Sequence, residues 1–267
     1  MNGQKIHPTA IVDPNAELGE GVEVGPYACI EAGVTVGDRT RIGPMVQIQA
    51  TTEIGPDNVI GAFSTIGFPP QYLGFDGSPT LCVIGARNVL REYFSMHRSI
   101  YKDGATVLGD DGFMMAASHI AHDCIVGDRV TMANAVLLAG HVEVGDRVFI
   151  SGNAAVHQFC RIGTLAMVGG LTRITNDVPP YTITDGRPAW VRGLNVVGLR
   201  RAELGSAVRR ELKLLYADIY GGPKTVSERV EELLAQDPAP HARTVLEFYR
   251  ASKRGITRAV FGRGVTD

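Results

Sequence analysis

A chain of 267 residues with 26 basic and 28 acidic side chains, a formal charge of −2, 45% hydrophobic and 7% aromatic residues has length for one or two domains and an ample core. The near-neutral balance gives no global attraction to nucleic acid or to a membrane surface. No apolar run reaches the roughly 18–20 residues of a membrane span and no charged-then-apolar leader opens the chain, so no stable membrane insertion and a cytoplasmic location are expected.

From Ile6 an aliphatic side chain recurs every six residues, at Val12, Leu18, Val24, Ile30, Val36, Ile42, Ile48, Ile54, Ile60 and Ile66; the phase resumes at Ile84, Leu90 and Met96, and again from Leu108 to Ile174. Two places before each stands a small or β-branched residue, as at Ala10, Ala16, Val22, Ala28, Cys124 and Val130. Residues two apart on a strand share a face. Each hexad therefore predicts a short strand with one large and one small side chain inward, followed by a corner of turn formers such as Glu20-Gly21 or Asp38-Arg39. Helical periodicity fits nowhere in this region. The pattern specifies a parallel β-helix over residues 1–182, and the fold class is mainly β.

Residues 68–82 and 98–107 break the period and must loop outward, where interruptions of a rigid repeat commonly carry function. The paired prolines of Val178-Pro-Pro-Tyr181 are expected to stop strand pairing, and 183–200 to be irregular. Helices are predicted over about 202–219, over 226–235 behind a capping box formed by Thr225 and Glu228, and over 239–253. Leu212, Leu214, Leu215 and Tyr216 mark the apolar stripe of the first, and Val230, Leu233 and Leu234 that of the second. Residues 183–267 thus form a linker and a C-terminal helical domain that covers the open edge of the last coil. That domain is basic, with 15 basic against 10 acidic side chains, where residues 1–182 hold 11 against 18, and suits an acidic partner. The cysteines at 29, 82, 124 and 160 follow no metal spacing and read as packing residues.

Three hexads per coil stack residues 18 apart. His122 then lies beneath Gly140 and Gly140 beneath Gln158, Asp123 lies beneath His141, and Ala121, Ala139 and His157 form the neighbouring column. His119 precedes inward-pointing Ile120 and faces outward, so four of the seven histidines converge on one external patch. A flat patch needs a second wall, which trimerisation supplies if loop 68–82 of one subunit reaches over the next. An imidazole, with an ordinary pKa near 6.5, is the natural general base at neutral pH, and Asp123 is placed to orient His122. A backbone N–H at Gly140 suits an oxyanion. Base plus oxyanion donor means acyl transfer, by direct attack of a substrate hydroxyl or amine.

The motifs His119-Ile-Ala-His-Asp-Cys124, Leu138-Ala-Gly-His141, Ala155-Val-His-Gln-Phe-Cys160, Met167-Val-Gly-Gly170, Asp177-Val-Pro-Pro-Tyr181 and Ser252-Lys-Arg-Gly-Ile256, in this order across nearly the whole chain, resemble those of the UDP-N-acetylglucosamine acyltransferases. The resemblance implies a left-handed parallel β-helix, a homotrimer with active sites between subunits, and transfer of a 3-hydroxyacyl chain from acyl carrier protein to the 3-hydroxyl of the UDP-sugar, the first step of lipid A biosynthesis. It implies no metal and no cofactor beyond the carrier thioester as co-substrate. It makes His122 the base, Asp123 its orienting partner and Gly140 the oxyanion donor. His119, His141, His157, Gln158 and Gln71 match substrate contacts, Asn195 and Arg201 nucleotide-binding positions, and Met167 and Gly170 the acyl-length ruler.

Several positions depart from that pattern. Gln71-Tyr-Leu-Gly-Phe75 stands where the family reads Gln-Asp-Leu-Lys-Tyr, Val197 stands for a glutamate and Ala202 for a second arginine, which implies an altered grip on the sugar nucleotide. A nucleotide amino sugar acylated on nitrogen, or an acyl-CoA donor, is the nearest alternative. More distant ones are a zinc-dependent carbonic anhydrase using His119, His122 and His141, and a non-catalytic scaffold.

Overall fold

The hexad dictates the architecture of the computed structural model, which describes residues 3–221 and 223–260; the remainder of the expected tail, 261–267, lies outside them. Two-residue strands alternate with corners and assemble into three sheets of 11, 9 and 8 strands that form the faces of a left-handed triangular prism. Pairing within the regular coils is parallel and in steps of 18, as at His119↔Leu137 and Leu137↔Ala155. One face carries Ile30, Ile48, Ile66, Met96, Ile120, Leu138, Val156 and Ile174 inward, each no more than 2% exposed. Burying one such side chain contributes about 1.5–3 kcal/mol, and the rows of all three faces meet in one core. The small slot sometimes holds a polar residue that mends a corner. Asn58 donates to the Gly55 and Gly85 carbonyls at 2.7 and 2.8 Å and accepts from the Asn88 N–H at 2.8 Å.

Both interruptions are shorter than the lost periodicity implies. Strands Thr65–Phe68, Leu81–Ile84, Ser95–His97 and Ala105–Leu108 run into them, leaving loops at 69–80 and 98–104. The reason is pairing between the insertions themselves: Leu81 to Ile84 register with Ala105 to Leu108, Phe68 with His97, and the Thr80 hydroxyl donates to the Ser99 carbonyl at 2.6 Å.

The C-terminal part departs more from expectation. The prolines do not end strand pairing, because Pro179 and Pro180 sit at a corner, where Pro26, Pro44 and Pro56 also sit, and pairing resumes at Met167↔Ile183. Residues 183–200 are ordered as an antiparallel pair, Thr182–Asp185 with Trp190–Leu194, and a short helix α1, Val196–Arg201. Helices α2 (Ser206–Gly221), α3 (Val226–Leu234) and α4 (Pro240–Arg250) follow. The Thr225–Glu228 capping box is present in both directions. Leu214 is 61% exposed, because the helical repeat gives the buried stripe to Leu212, Leu215, Tyr216 and Ile219. This second cluster is pinned to the prism by Asp177, whose carboxylate accepts from the Arg161 N–H at 2.8 Å and the Ser252 hydroxyl at 2.7 Å. Arg254 closes the last corner by donating to the Thr175 carbonyl at 3.1 Å.

Candidate active site

The corner formed by residues 121–124 joins strand His119–Ile120 to strand Ile125–Val126. Ile120 and Cys124 are fully buried, so the residues between them are forced to the outside. There Nδ1 of His122 lies 2.8 Å from Oδ2 of Asp123. An ionised carboxylate only accepts, so Nδ1 carries the proton and the Nε2 lone pair is left for a substrate. Asp123 is itself fixed: Oδ1 accepts from the Ser99 hydroxyl, Oδ2 from the Ile100 N–H at 3.2 Å, and its own N–H donates to Thr106 Oγ1 at 2.7 Å.

Gly140 stands one coil above, where the 18-residue stacking puts it. A β-carbon there would fall 2.4 Å from Cε1 and 2.7 Å from Nε2 of His122; only glycine leaves room for the ring. Among the described residues the Gly140 N–H donates to no acceptor of the chain. The His141 ring meets His122 edge to face at 5.2 Å and stacks on Phe159 at 4.5 Å, and its Nε2 is 3.9 Å from Asp123 Oδ2.

The histidine corner holds a ring the hexad did not place there. His119 accepts from or donates to Ser95 Oγ at 2.8 Å, and His157 has Nδ1 2.9 Å from the Arg254 guanidinium. His97 is the addition, 5.0 Å from the His119 ring and buried, with Nδ1 unpartnered. Burial, then the neighbouring His119 and His122, pushes His97 down to about 4. Burial also lowers His119, reinforced by His122, and lowers His141 against the opposing pull of Asp123. Burial thus biases all three imidazoles toward the neutral form around the base. His97 and Ser99 escape the 18-step because an insertion lies between their coil and the next: Met96 registers with Ile120, 24 residues on.

Loop 69–80 lies beside the histidine corner of its own chain: Gln71 is exposed at its start, and the Tyr72 ring lies 6.3 Å from that of His122. Gln158 is exposed above Gly140.

The other expected site residues lie on a different face. A cavity of about 650 Å³ on the face of strands Thr131–Met132, Phe149–Ile150 and Met167–Val168 is lined by Arg129, Arg147, Phe149, Met167, Asn195 and Arg201. Asn195 is the N-cap of α1, with its Oδ1 accepting from the Gly198 N–H at 3.0 Å and its Nδ2 donating to the Leu165 carbonyl at 2.8 Å, so holding this helix occupies both ends of its amide. Val197 and Ala202, where acid and base were expected, also line the cavity. Arg129 and Arg147 escaped the sequence reading, although their spacing of 18 stacks them. Gly170 sits exposed at a corner, and an added β-carbon would meet only ordinary contacts, the nearest at 3.5 Å.

Two family models match the chain: Udp N-acetylglucosamine O-acyltransferase, Domain 2, over residues 177–257, and Bacterial transferase hexapeptide over residues 33–67. The chain is 50% identical over 256 residues to the acyl-[acyl-carrier-protein]--UDP-N-acetylglucosamine O-acyltransferase of Alkalilimnicola ehrlichii, and 47% identical over 260 residues to that of Burkholderia lata, with 95% of this chain and 99% of the relative covered in each case. Among solved structures it is similar to LpxA from Acinetobacter baumannii (38% identity, TM-score 0.91, 95% of this chain and 99% of that one). The UDP-N-acetylglucosamine acyltransferase from Bacteroides fragilis is likewise similar (33% identity, TM-score 0.91, 94% and 99%). With the hexapeptide prism, the His122–Asp123 corner and relatives matched end to end, the chain belongs to the UDP-N-acetylglucosamine O-acyltransferase family.

Proposed function

We propose that this chain transfers a 3-hydroxyacyl group from acyl carrier protein to the 3-hydroxyl of UDP-N-acetylglucosamine, the first step of lipid A biosynthesis, with His122 as general base. The observation that carries the reading is the His122–Asp123 pair at 2.8 Å set against the Gly140 backbone, in a chain whose relatives are named for that transfer. Nε2 of His122 takes the hydroxyl proton as the sugar oxygen attacks the thioester carbonyl. The charge that develops on the carbonyl oxygen meets the Gly140 N–H. The C–S bond then breaks, and the carrier's sulfur leaves with the proton that His122 returns. One O–H and one C–S bond are exchanged for one C–O and one S–H bond. Asp123 holds the donor tautomer and offsets the imidazolium charge while it lasts.

The same reading makes the protein a cytoplasmic homotrimer. The histidine corner and the arginine cavity occupy different faces of one prism, and a three-fold arrangement sets the cavity of one subunit against His122 of the next. Three guanidinium groups, from Arg129, Arg147 and Arg201, and the Phe149 ring suit a nucleotide diphosphate. Met167 and Gly170 then bound the acyl chain, Gln71, His119, His141, His157 and Gln158 surround the sugar, and the basic C-terminal region receives the acidic carrier protein. Among the described residues no helix is long and apolar enough to cross a membrane.

The test is incubation of the purified protein with a panel of acyl carrier protein thioesters, acyl-CoA thioesters and UDP-sugars, with products read by mass spectrometry. O-acylated UDP-N-acetylglucosamine from a carrier thioester, lost by about 10²- to 10⁴-fold in H122A, is the expected result. Undiminished turnover in H122A, or product only from an amino sugar or acyl-CoA, overturns the proposal, and light scattering that finds a monomer overturns the shared site.

A further inference from the structure

Loop 69–80 holds an aromatic ring beside the base, and the loop is shaped to keep it there. The Tyr72 N–H donates to the Pro70 carbonyl at 2.8 Å, and the Phe75 N–H donates to the Tyr72 carbonyl at 3.1 Å, which makes a tight turn of residues 70–75. Its far side is clamped by Arg98, whose guanidinium lies 5.6 Å from the Phe75 ring centre and donates to the Gly67 carbonyl at 3.1 Å. Tyr72 remains 52% exposed although its ring centre is 6.3 Å from that of His122, tilted by 47°. About half of the Tyr72 surface is therefore open beside the His122 ring.

Gly74 is what makes this placement possible. A β-carbon at 74 would fall 2.8 Å from Cε1 of Tyr72, closer than real β-carbons approach, and a tight 3.0 Å from both Cζ and Oη. The Gly74 backbone is not in the left-handed region, so the glycine supplies space and not conformation. Tyr72 and Gly74 are a single device: any side chain at 74 competes with the phenol for the same volume.

The topology says which substrate the phenol meets. Along the face that carries His119, the strand leading into the loop, Thr65–Phe68, lies on the N-terminal side of His119–Ile120, while Gly140 follows Leu137–Leu138 on the C-terminal side. Tyr72 and the Gly140 N–H thus flank His122 from opposite ends of the axis. The thioester carbonyl must lie at Gly140 for its oxygen to be stabilised, which leaves the Tyr72 side to the sugar whose hydroxyl is deprotonated.

Resting on the function proposed above, we infer that Tyr72 is an acceptor-binding, specificity-determining residue and that Gly74 positions it. The sugar packs against the exposed part of the phenol alongside His122, in an apolar and uncharged grip; within residues 69–80 the one charged side chain is Asp76, beyond the turn. An aromatic platform of this kind contributes chiefly through contact area.

The test is a double-mutant cycle of Y72A, G74A and the pair, read as KM for UDP-N-acetylglucosamine and, separately, KM for the acyl carrier protein thioester, with Y72F as the conservative variant. Y72A is expected to raise the acceptor KM about ten-fold and to leave the donor KM within two-fold, while Y72F retains most of the affinity. G74A alone is expected to raise the acceptor KM by displacing the ring, and to add less than two-fold in the Y72A background, where the methyl group has an empty space to occupy. Multiplying effects of the two substitutions, a change confined to the donor KM, or an unchanged acceptor KM in Y72A overturns the inference while wild-type turnover and its loss in H122A leave the function standing. Wild-type protein that acylates no sugar nucleotide overturns both.

Discussion

Replacing Gly140 with alanine tests whether the His122 ring and the backbone one coil above it form a single unit. The added methyl carbon would lie 2.4, 2.7 and 3.0 Å from Cε1, Nε2 and Nδ1 of His122, whereas carbon atoms rest in contact at about 3.5 Å. The ring must retreat by about 1 Å. It cannot do so with its partner, because Asp123 is held by Ser99, Ile100 and Thr106, so the 2.8 Å bond to Asp123 is broken or bent. A displacement of about 1 Å at a reacting group costs ~10²-fold in rate, and the methyl group also screens the Gly140 N–H, whose loss as an oxyanion donor costs ~10²- to 10³-fold. The backbone at 140 is not left-handed, so the chain itself tolerates alanine, and reduced unfolded-state freedom offsets part of any strain. G140A should therefore lose at least about 10²-fold in kcat while its melting temperature and acceptor KM stay near those of the parent. Gly152 provides the control, since a methyl group there meets only the Asn134 carbonyl at 3.4 Å, and G152A should turn over normally. Thiol release from the carrier thioester, followed continuously, gives both rates. Full kcat in G140A, or equal losses in G140A and G152A, would refute the account.

Three further outcomes follow from contacts outside the base itself. S99A removes the hydroxyl that fixes Asp123 Oδ1; a hydrogen bond to a charged group contributes about 1.5–3 kcal/mol, so kcat should fall about ten-fold or more with the acceptor KM unchanged, as steady-state kinetics will show. H97F should make the protein more tolerant of acid. His97 is held at about 4 when folded against about 6.5 when unfolded, so below 6.5 the unfolded chain takes up the proton first and the stabilisation present above that pH is lost as pH falls through 4. The drop in melting temperature between pH 7 and pH 5 should shrink in the variant, and an identical drop would show that His97 is not the group responsible. D177A leaves the half-buried Arg161 N–H without its acceptor and should lower stability by about 1–3 kcal/mol in denaturant unfolding. D177N keeps an acceptor for that N–H and should lose less.

The prism was legible because every inward slot selects for size at a fixed period, so one hexad constrains the next. The same arithmetic put His122 beneath Gly140 and Asp123 beneath His141 without coordinates. What it missed lies where the period lapses. Leu81 to Ile84 and Ala105 to Leu108 pair because two insertions meet each other, a tertiary event with no signature in either stretch. His97 and Ser99 reach the site only because the coil between them and His122 is six residues longer than the regular 18. The hairpin at 182–194 was hidden by Thr182 and Thr184, polar residues that are fully buried. The division of the predicted site between two faces was hidden for another reason: a resemblance transfers residues, not the chain on which each one acts.

The dyad owes its geometry to the corner and not to strain peculiar to the site. Neighbouring side chains on a strand point to opposite faces, so a histidine and the aspartate after it would ordinarily not touch. Here Asp123 has φ 59°, in the left-handed region, and the turn carries its carboxylate round to the His122 ring. Such a backbone costs about 1–2 kcal/mol in a non-glycine residue, and left-handed residues in an active site are often read as stored catalytic strain. That reading fails here, because Arg39, Arg129, Arg147 and Leu165, at other corners and away from His122, have φ of 58°, 56°, 56° and 56°. The cost belongs to the prism, which incurs it at corner after corner in order to close. At 121–124 the closure happens to present two adjacent polar side chains to the same side, and an ordinary corner becomes a base with its orienting acid through the choice of two residues and a glycine one coil away.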